Sequence, residues 1–181
     1  MKTVDVGCVD VNPNEEGTVH VVNADHGVWP ASGFCRVIFE QDIKAVGPYV
    51  LDIELLNTVR PGIVYWGHPG VIYNVVDEDN FDFVYFRLPS GSNNCYQVGY
   101  SSNGNNYYTN TASCPGGTPK SGKWFNVRVQ IDLNRNVNIY YKGALMKSYT
   151  AHFSTKVSGG VLVTNGFRNI IQFSNFSISQ Q

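Results

Sequence analysis

The sequence predicts an all-β protein, and three observations carry that expectation. The segment 123–149, KWFNVRVQIDLNRNVNIYYKGALMKSY, alternates with period two. Phe125, Val127, Val129, Ile131 and Leu133 share one face, and Asn126, Arg128, Gln130 and Asp132 share the other. Such alternation belongs to a strand with one buried face and one wet face. Short strand-like runs recur along the rest of the chain, divided by Pro, Gly and Asn clusters. No amphipathic helical pattern reaches about ten residues. Many short strands at this spacing predict a two-sheet sandwich or a barrel.

Taken in order, strands are expected over 4–11, 18–22, 34–40, 49–56, 71–76, 81–88 and 95–100. Breakers stand between them at Asn12-Pro13-Asn14, Gly47-Pro48, Arg60-Pro61-Gly62, His68-Pro69-Gly70 and Pro89-Ser90-Gly91. The stretch 101–123, rich in Ser, Asn, Gly, Tyr and Pro, reads as a long ordered surface loop anchored by Cys114-Pro115-Gly116-Gly117. Trp124 then opens a meander and is expected to anchor the core. Asn134-Arg135-Asn136 turns the chain into a second strand through Val137, Ile139 and Tyr141. Lys142-Gly143 makes the next tight turn, with Gly143 free to take positive φ, and 144–149 returns. Strands over 160–163 and 170–178 close the chain. No linker or internal repeat divides it, so residues 1–181 read as one domain, with 1–34 contributing strands to the same sandwich.

Charged residues make up 15% of the chain, below the usual quarter or so, while Gly, Asn, Ser, Tyr and Phe are plentiful. A net charge of −1 with scattered Lys and Arg provides no basic stripe for a phosphate backbone, so no nucleic-acid partner is expected. Apolar runs are only strand-length, and no membrane insertion is expected. Met1-Lys2 leads straight into polar sequence with no apolar leader, which suggests a domain excised from a larger protein.

Cys8, Cys35, Cys95 and Cys114 include no CxxC, and no histidine pair has zinc spacing. An even count in such a composition favours two disulfides and an oxidising compartment. Sequential pairing, Cys8–Cys35 and Cys95–Cys114, is expected because each bridge would close one local excursion of the sheet. Asn175-Phe176-Ser177 is the clear glycosylation sequon, weak support for secretion.

Further motifs carry a resemblance. Gly-Val-Ile-Tyr-Asn (70–74) leads to the acidic turn Asp77-Glu78-Asp79-Asn80 and then Phe-Asp-Phe-Val-Tyr-Phe-Arg (81–87). Lys-Trp-Phe-Asn-Val-Arg-Val, Ile-Tyr-Tyr-Lys-Gly-Ala-Leu and Phe-Ser-Asn-Phe-Ser-Ile follow. Over roughly 35–179 this resembles the laminin-G-like, concanavalin A-like lectin and glucanase jelly roll. The resemblance implies an antiparallel two-sheet β-sandwich but little about function, because that fold hosts lectins, adhesion modules and glycosidases alike. It also implies a secreted, extracellular-matrix setting, with biomineral and cuticle matrices among the examples.

Three candidate sites emerge. Asp77, Asp79, Asn80 and Asp82, with Glu78, could offer oxygens to Ca²⁺, although Asp and Asn are equally ordinary turn residues. Arg60, Trp66, His68, Asn103, Asn105, Tyr107 and Tyr108, with Asn106, could form a glycan surface of stacking rings and polar neighbours. Their bland alternative is core packing and bracing of the disulfide loop. Asp52 and Glu54 share a strand face at i, i+2, but Val50 stands where a retaining glucanase would carry its nucleophile. No nucleotide loop or nucleophile motif is present. The expected function is therefore a non-catalytic module binding a polysaccharide, glycoprotein or other matrix component, with Ca²⁺ as the one candidate cofactor. A hydrolase using a noncanonical carboxylate pair, and a structural adhesion or oligomerisation domain, are the alternatives.

Overall fold

Period-two burial organises the molecule. In the strand Tyr49–Thr58, Tyr49, Leu51, Ile53 and Leu55 are fully buried, while Asp52 and Glu54 face the opposite way. The computed structural model describes residues 2–6, 10–13, 19–23, 34–40, 46–58, 67–87, 94–164 and 170–181. Strands are numbered in chain order. One antiparallel sheet runs β1 (Lys2–Val6), β4 (Phe34–Glu40), β13 (Gly159–Thr164), β6 (His68–Asp77), β7 (Asn80–Phe86), β8 (Tyr96–Ser102) and β9 (Asn105–Ala112). The other runs β12 (Ala144–Thr150), β11 (Asn136–Tyr141), β10 (Phe125–Ile131), β5 (Tyr49–Thr58), β14 (Ile170–Gln180), β3 (Val19–Asn23) and β2 (Asp10–Pro13). The all-β sandwich expected from the sequence is the architecture found.

The main core lies between the sheets. Val71, Tyr73, Val84, Phe86, Val98, Val161 and Val163 from the first sheet meet Leu51, Ile53, Val127, Val129, Ile139 and Phe173 from the second. Phe125 packs edge-on against Phe86, and Tyr141 stacks on Phe86 at 5.6 Å. A second buried cluster, Ile38, Ile72, Phe81, Phe83, Tyr85 and Leu162, occupies the alternate positions of the first sheet. That sheet is therefore apolar on its outer face as well as its inner one.

Several expectations need correction. Trp124 is 40% exposed and is not a core anchor. Phe125 takes the inward position that starts β10, so alternation sends its neighbour the other way. Leu133 lies beyond the end of β10 and is exposed. His68-Pro69-Gly70 is not a turn but the start of β6, paired through Thr164, Val163 and Leu162 of β13. The predicted strand 4–11 divides into β1 and β2, which pair in different sheets.

The stretch 101–123 is not one irregular loop. Asn103 and Gly104 both adopt positive φ and turn the chain from β8 into β9. Asn-Gly is the favoured pair for such a hairpin turn, and its signal was in the sequence. Gly143 behaves as expected, with Lys142 beside it also at positive φ. Gly99 makes a close approach: a Cβ there would overlap the Tyr107 carbonyl and the Phe83 ring.

Cys95 and Cys114 are joined, as predicted, tying the entrance of β8 to the segment beyond β9. Cys8 lies outside the described residues, so the Cys8–Cys35 expectation does too. The bridged cysteines are 19 residues apart. Chain-entropy arguments give such a loop about 3 kcal/mol of stability. Removing the bridge by the double substitution C95A/C114A should lower the unfolding free energy by about that amount in urea titration. An unchanged midpoint would mean the closed loop is already ordered in the unfolded chain.

Candidate functional site

The outer face of the first sheet brings rings and polar groups together. Register makes His68, Gly70 and Ile72 outward on β6, Phe81, Phe83 and Tyr85 outward on β7, and Gln97, Gly99 and Ser101 outward on β8. Arg87 follows β7 with the same parity, and Tyr108 lies opposite Gly99 on β9. The side chains converge. The His68 ring is parallel to Tyr85 at 5.6 Å, and Tyr108 meets Phe83 and Tyr85 edge-on at 5.9 and 6.4 Å. The Tyr85 hydroxyl donates to Gln97 Oε1, and Arg87 Nη2 donates to the same oxygen at 2.6 Å. Tyr108 remains half exposed at 50%.

Buried polar atoms normally find hydrogen-bond partners. Here His68 Nδ1, Arg87 Nε, Ser101 Oγ, Thr164 Oγ1 and two Arg36 nitrogens are buried without one among the described residues, and all six atoms belong to this face. Burial, reinforced by the Arg87 charge, pushes His68 down to about 4 from its ordinary 6.5. His68 is thus a neutral ring at neutral pH.

The predicted glycan residues are divided by the fold. His68 and Tyr108 come together on this face. Tyr107 points the other way and stacks on Tyr100 at 4.9 Å. Asn103 forms the β8–β9 turn, where its backbone N–H donates to Asn80 Oδ1, and Asn105 begins β9. Arg60 and Trp66 lie outside the described residues. Tyr85, Arg87 and Gln97 were missed. The alternation of 81–87 could have placed Tyr85 and Arg87 on one face, but Gln97 required the strand pairing.

The acidic turn is used locally. Asp77 Oδ1 accepts from the Asp79 backbone N–H at 2.9 Å and from Asn80 Nδ2 at 2.8 Å. Asp79 stands 3.7 Å from the Arg36 guanidinium, which itself lies over Phe81. Asp82 is buried away from this tip. Oxygens bonded to turn amides, a guanidinium beside one carboxylate and the withdrawal of Asp82 do not fit a calcium cage. No cluster of three metal-ligating side chains occurs among the described residues.

Asp82 instead belongs to a polar network between the sheets. Its oxygens accept from Asn74 Nδ2 at 3.1 Å and from the His152 and Phe153 backbone N–H groups at 3.0 and 3.3 Å. Asn74 sits at positive φ in a β6 bulge, and its Oδ1 accepts from the Tyr49 hydroxyl. The Tyr73 and Tyr149 hydroxyls bond to each other beside it. A cleft of about 240 Å³, lined by Asp82, Tyr100, Thr109, Arg135, Tyr149 and His152 among others, opens at this end of the sandwich. Burial raises Asp82 to about 6.

Asp52 and Glu54 lie on the outer face of the second sheet, each with partners. Arg128 forks onto both Asp52 oxygens at 2.8 and 3.0 Å. Glu54 accepts from Ser174 and from Asn175, the exposed sequon residue, which occupies a β14 bulge at positive φ.

No family model matches the sequence. Solved structures do resemble it. A carbohydrate-binding module, CBM66, from Bacillus subtilis superposes with a TM-score of 0.74 at 11% identity, over 98% of this chain and 95% of that one. The fold is the concanavalin A-like jelly roll. The metal-free carbohydrate recognition domain of Emp46p follows with a TM-score of 0.64 at 7% identity, covering 98% of this chain and 86% of that one. The alginate lyase Aly36B has a TM-score of 0.54 at 12% identity, covering 92% and 82%. Binding modules and enzymes thus share this sandwich, and identities so low establish the fold alone.

The two displaced pKa values oppose each other. Asp82, raised from 3.8, contributes stability that is complete below 3.8 and lost as pH rises through about 6. His68, lowered from 6.5, contributes stability that is complete above 6.5 and lost as pH falls through about 4. Between these limits the contributions offset. His68→Gln should therefore make the chain gain stability relative to wild type on acidification from pH 6.5 to 4, by on the order of 2 kcal/mol, and Asp82→Asn should do the reverse. Denaturant titrations across that range check this; slopes parallel to wild type in both variants would exclude it.

Proposed function

We propose that the chain is a non-catalytic glycan-recognition module and that it binds on the outer face of its first sheet. The observation that carries this reading is the convergence of His68, Tyr85 and Tyr108 rings with the Arg87 and Gln97 polar groups. Sugars present apolar C–H faces that settle on aromatic rings and hydroxyls that need directed donors and acceptors. A sheet face supplies both in fixed register, so little ordering is required on binding.

The similarity to a carbohydrate-binding module and to a lectin recognition domain supports this reading. Neither member of the Asp52–Glu54 pair favours hydrolysis, since both are engaged by neighbouring side chains. The partner is then a polysaccharide or glycoprotein glycan, bound without Ca²⁺. The Cys95–Cys114 bridge supports a secreted protein, and an extracellular matrix is the proposed setting.

Binding is tested by co-sedimentation and affinity electrophoresis on chitin, cellulose, β-glucan and sulphated glycans, with calcium and with chelator. Retention should persist in chelator and fall about tenfold in Tyr108→Ala, which removes a half-exposed ring. Arg128→Gln, on the opposite sheet, should leave it unchanged. Equal loss in both variants, or retention that requires calcium, would contradict this assignment.

A further inference from the structure

Charge is one-sided where the His68, Tyr85 and Tyr108 rings meet. The outward positions between His68 and Ile72, Phe81 and Arg87, and Gln97 and Ser101 include no Asp or Glu. Nor do Asn106 and Tyr108 on β9 add one. Among the described residues the arginine–carboxylate pairs are Arg36–Asp79, at the tip of the β6–β7 hairpin, and Arg128–Asp52, on the other sheet. Arg87 belongs to neither.

Among the described residues its guanidinium is held by neutral acceptors. Nη2 reaches Gln97 Oε1 at 2.6 Å and the Tyr85 hydroxyl at 3.3 Å, while Nε is buried without a hydrogen-bond partner among the described residues. The carbon at the centre of the guanidinium stands 5.8 Å from the Tyr85 ring centroid. Neutral acceptors and a ring position such a group without neutralising it. An arginine carries its charge at any accessible pH, and its planar fork matches a carboxylate or a sulfate ester bidentately.

We infer that this face selects acidic glycans, with Arg87 receiving the anionic group of a sugar that packs against Tyr108. This rests on the glycan reading above and narrows it to a class of ligand. Carboxylate and sulfate share the required chemistry: a compact anion with at least two oxygens, carried on a ring with an apolar face. His68 reports on the arrangement. The Arg87 charge helps hold its imidazole neutral, so an anion settling between them reverses that effect and raises its titration.

Isothermal titration and affinity electrophoresis in chelator should use polygalacturonate against its methyl ester, and dextran sulfate against dextran. Each pair keeps its backbone and loses its charge. The acidic member should bind about ten- to a hundredfold more tightly, and Arg87→Gln should remove that preference. Polygalacturonate alone gaining affinity assigns a carboxylate, dextran sulfate alone a sulfate, and both a general anion site. Imidazole NMR should show the His68 titration moving up with the acidic ligand and not with its neutral counterpart. Arg87→Lys, which keeps the charge without the fork, should retain part of the preference; should Arg87→Gln not fold, this variant and the wild-type His68 titration decide.

Neutral and acidic polymers bound equally would overturn the selectivity and leave the glycan reading standing. Acidic binding that survives Arg87→Gln, or that leaves His68 unmoved, would overturn this placement. No binding to any polymer would remove both readings.

Discussion

A carboxylate withdrawn from water holds the two sheets in relation to one another. Asp82 leaves the first sheet on its inner side and receives backbone N–H groups from His152 and Phe153, just beyond the edge strand of the second. Asn74 extends the link to Tyr49 on β5. A buried charge is costly unless its oxygens are fully engaged, and here three donors converge on it. Apolar packing between sheets is non-directional and tolerates sliding, whereas this network accepts one alignment. The β6 bulge is its local requirement, since Asn74 reaches both partners from a positive-φ position.

That alignment leaves the first sheet with two different faces. Its inner face joins the common core. Its outer face carries Phe81, Phe83 and Tyr85 in alternate positions and is apolar near its centre, becoming polar toward Arg87, Gln97 and Tyr108. The second sheet has the simpler arrangement: Asp52, Glu54 and Arg128 mark an outer face given over to water and ion pairing. The contrast is the basis for proposing recognition on the first sheet and not on the second.

The sequence revealed elements wherever local alternation was undisturbed. The β10–β11 part of the meander was legible because each face announced itself every second residue, and the β6–β7 hairpin because two apolar runs flank an acidic turn. Elements failed where composition outweighed geometry. β9 was hidden by its Asn, Tyr and Thr, residues that an edge strand tolerates, although Asn103-Gly104 marked its turn. Pro69 suggested a break, yet it occupies the second residue of β6, before pairing with β7 begins at Gly70. Trp124 was expected in the core because it opens the meander, whereas the parity set by Phe125 sends it outward.

The candidate site was only half legible for a related reason. His68 and Tyr108 were named, but Tyr85, Arg87 and Gln97 join them through pairings across β6, β7, β8 and β9. Charge pairing is likewise a tertiary fact: Asp79 and Asp82 are three residues apart, yet one faces Arg36 at the surface and the other is sealed inside.

The Cys95–Cys114 bridge encloses both Gln97 and Tyr108 in one covalent ring, with the Asn103-Gly104 turn at its far end. Two residues of the candidate face are therefore joined by chain on one side and by sulfur on the other. A protease that cut the exposed turn would open the ring without releasing either strand. The severed β8 and β9 would remain tethered at their opposite end, able to pair again in the same register. The pairing of these two strands therefore outlasts a cut at their turn.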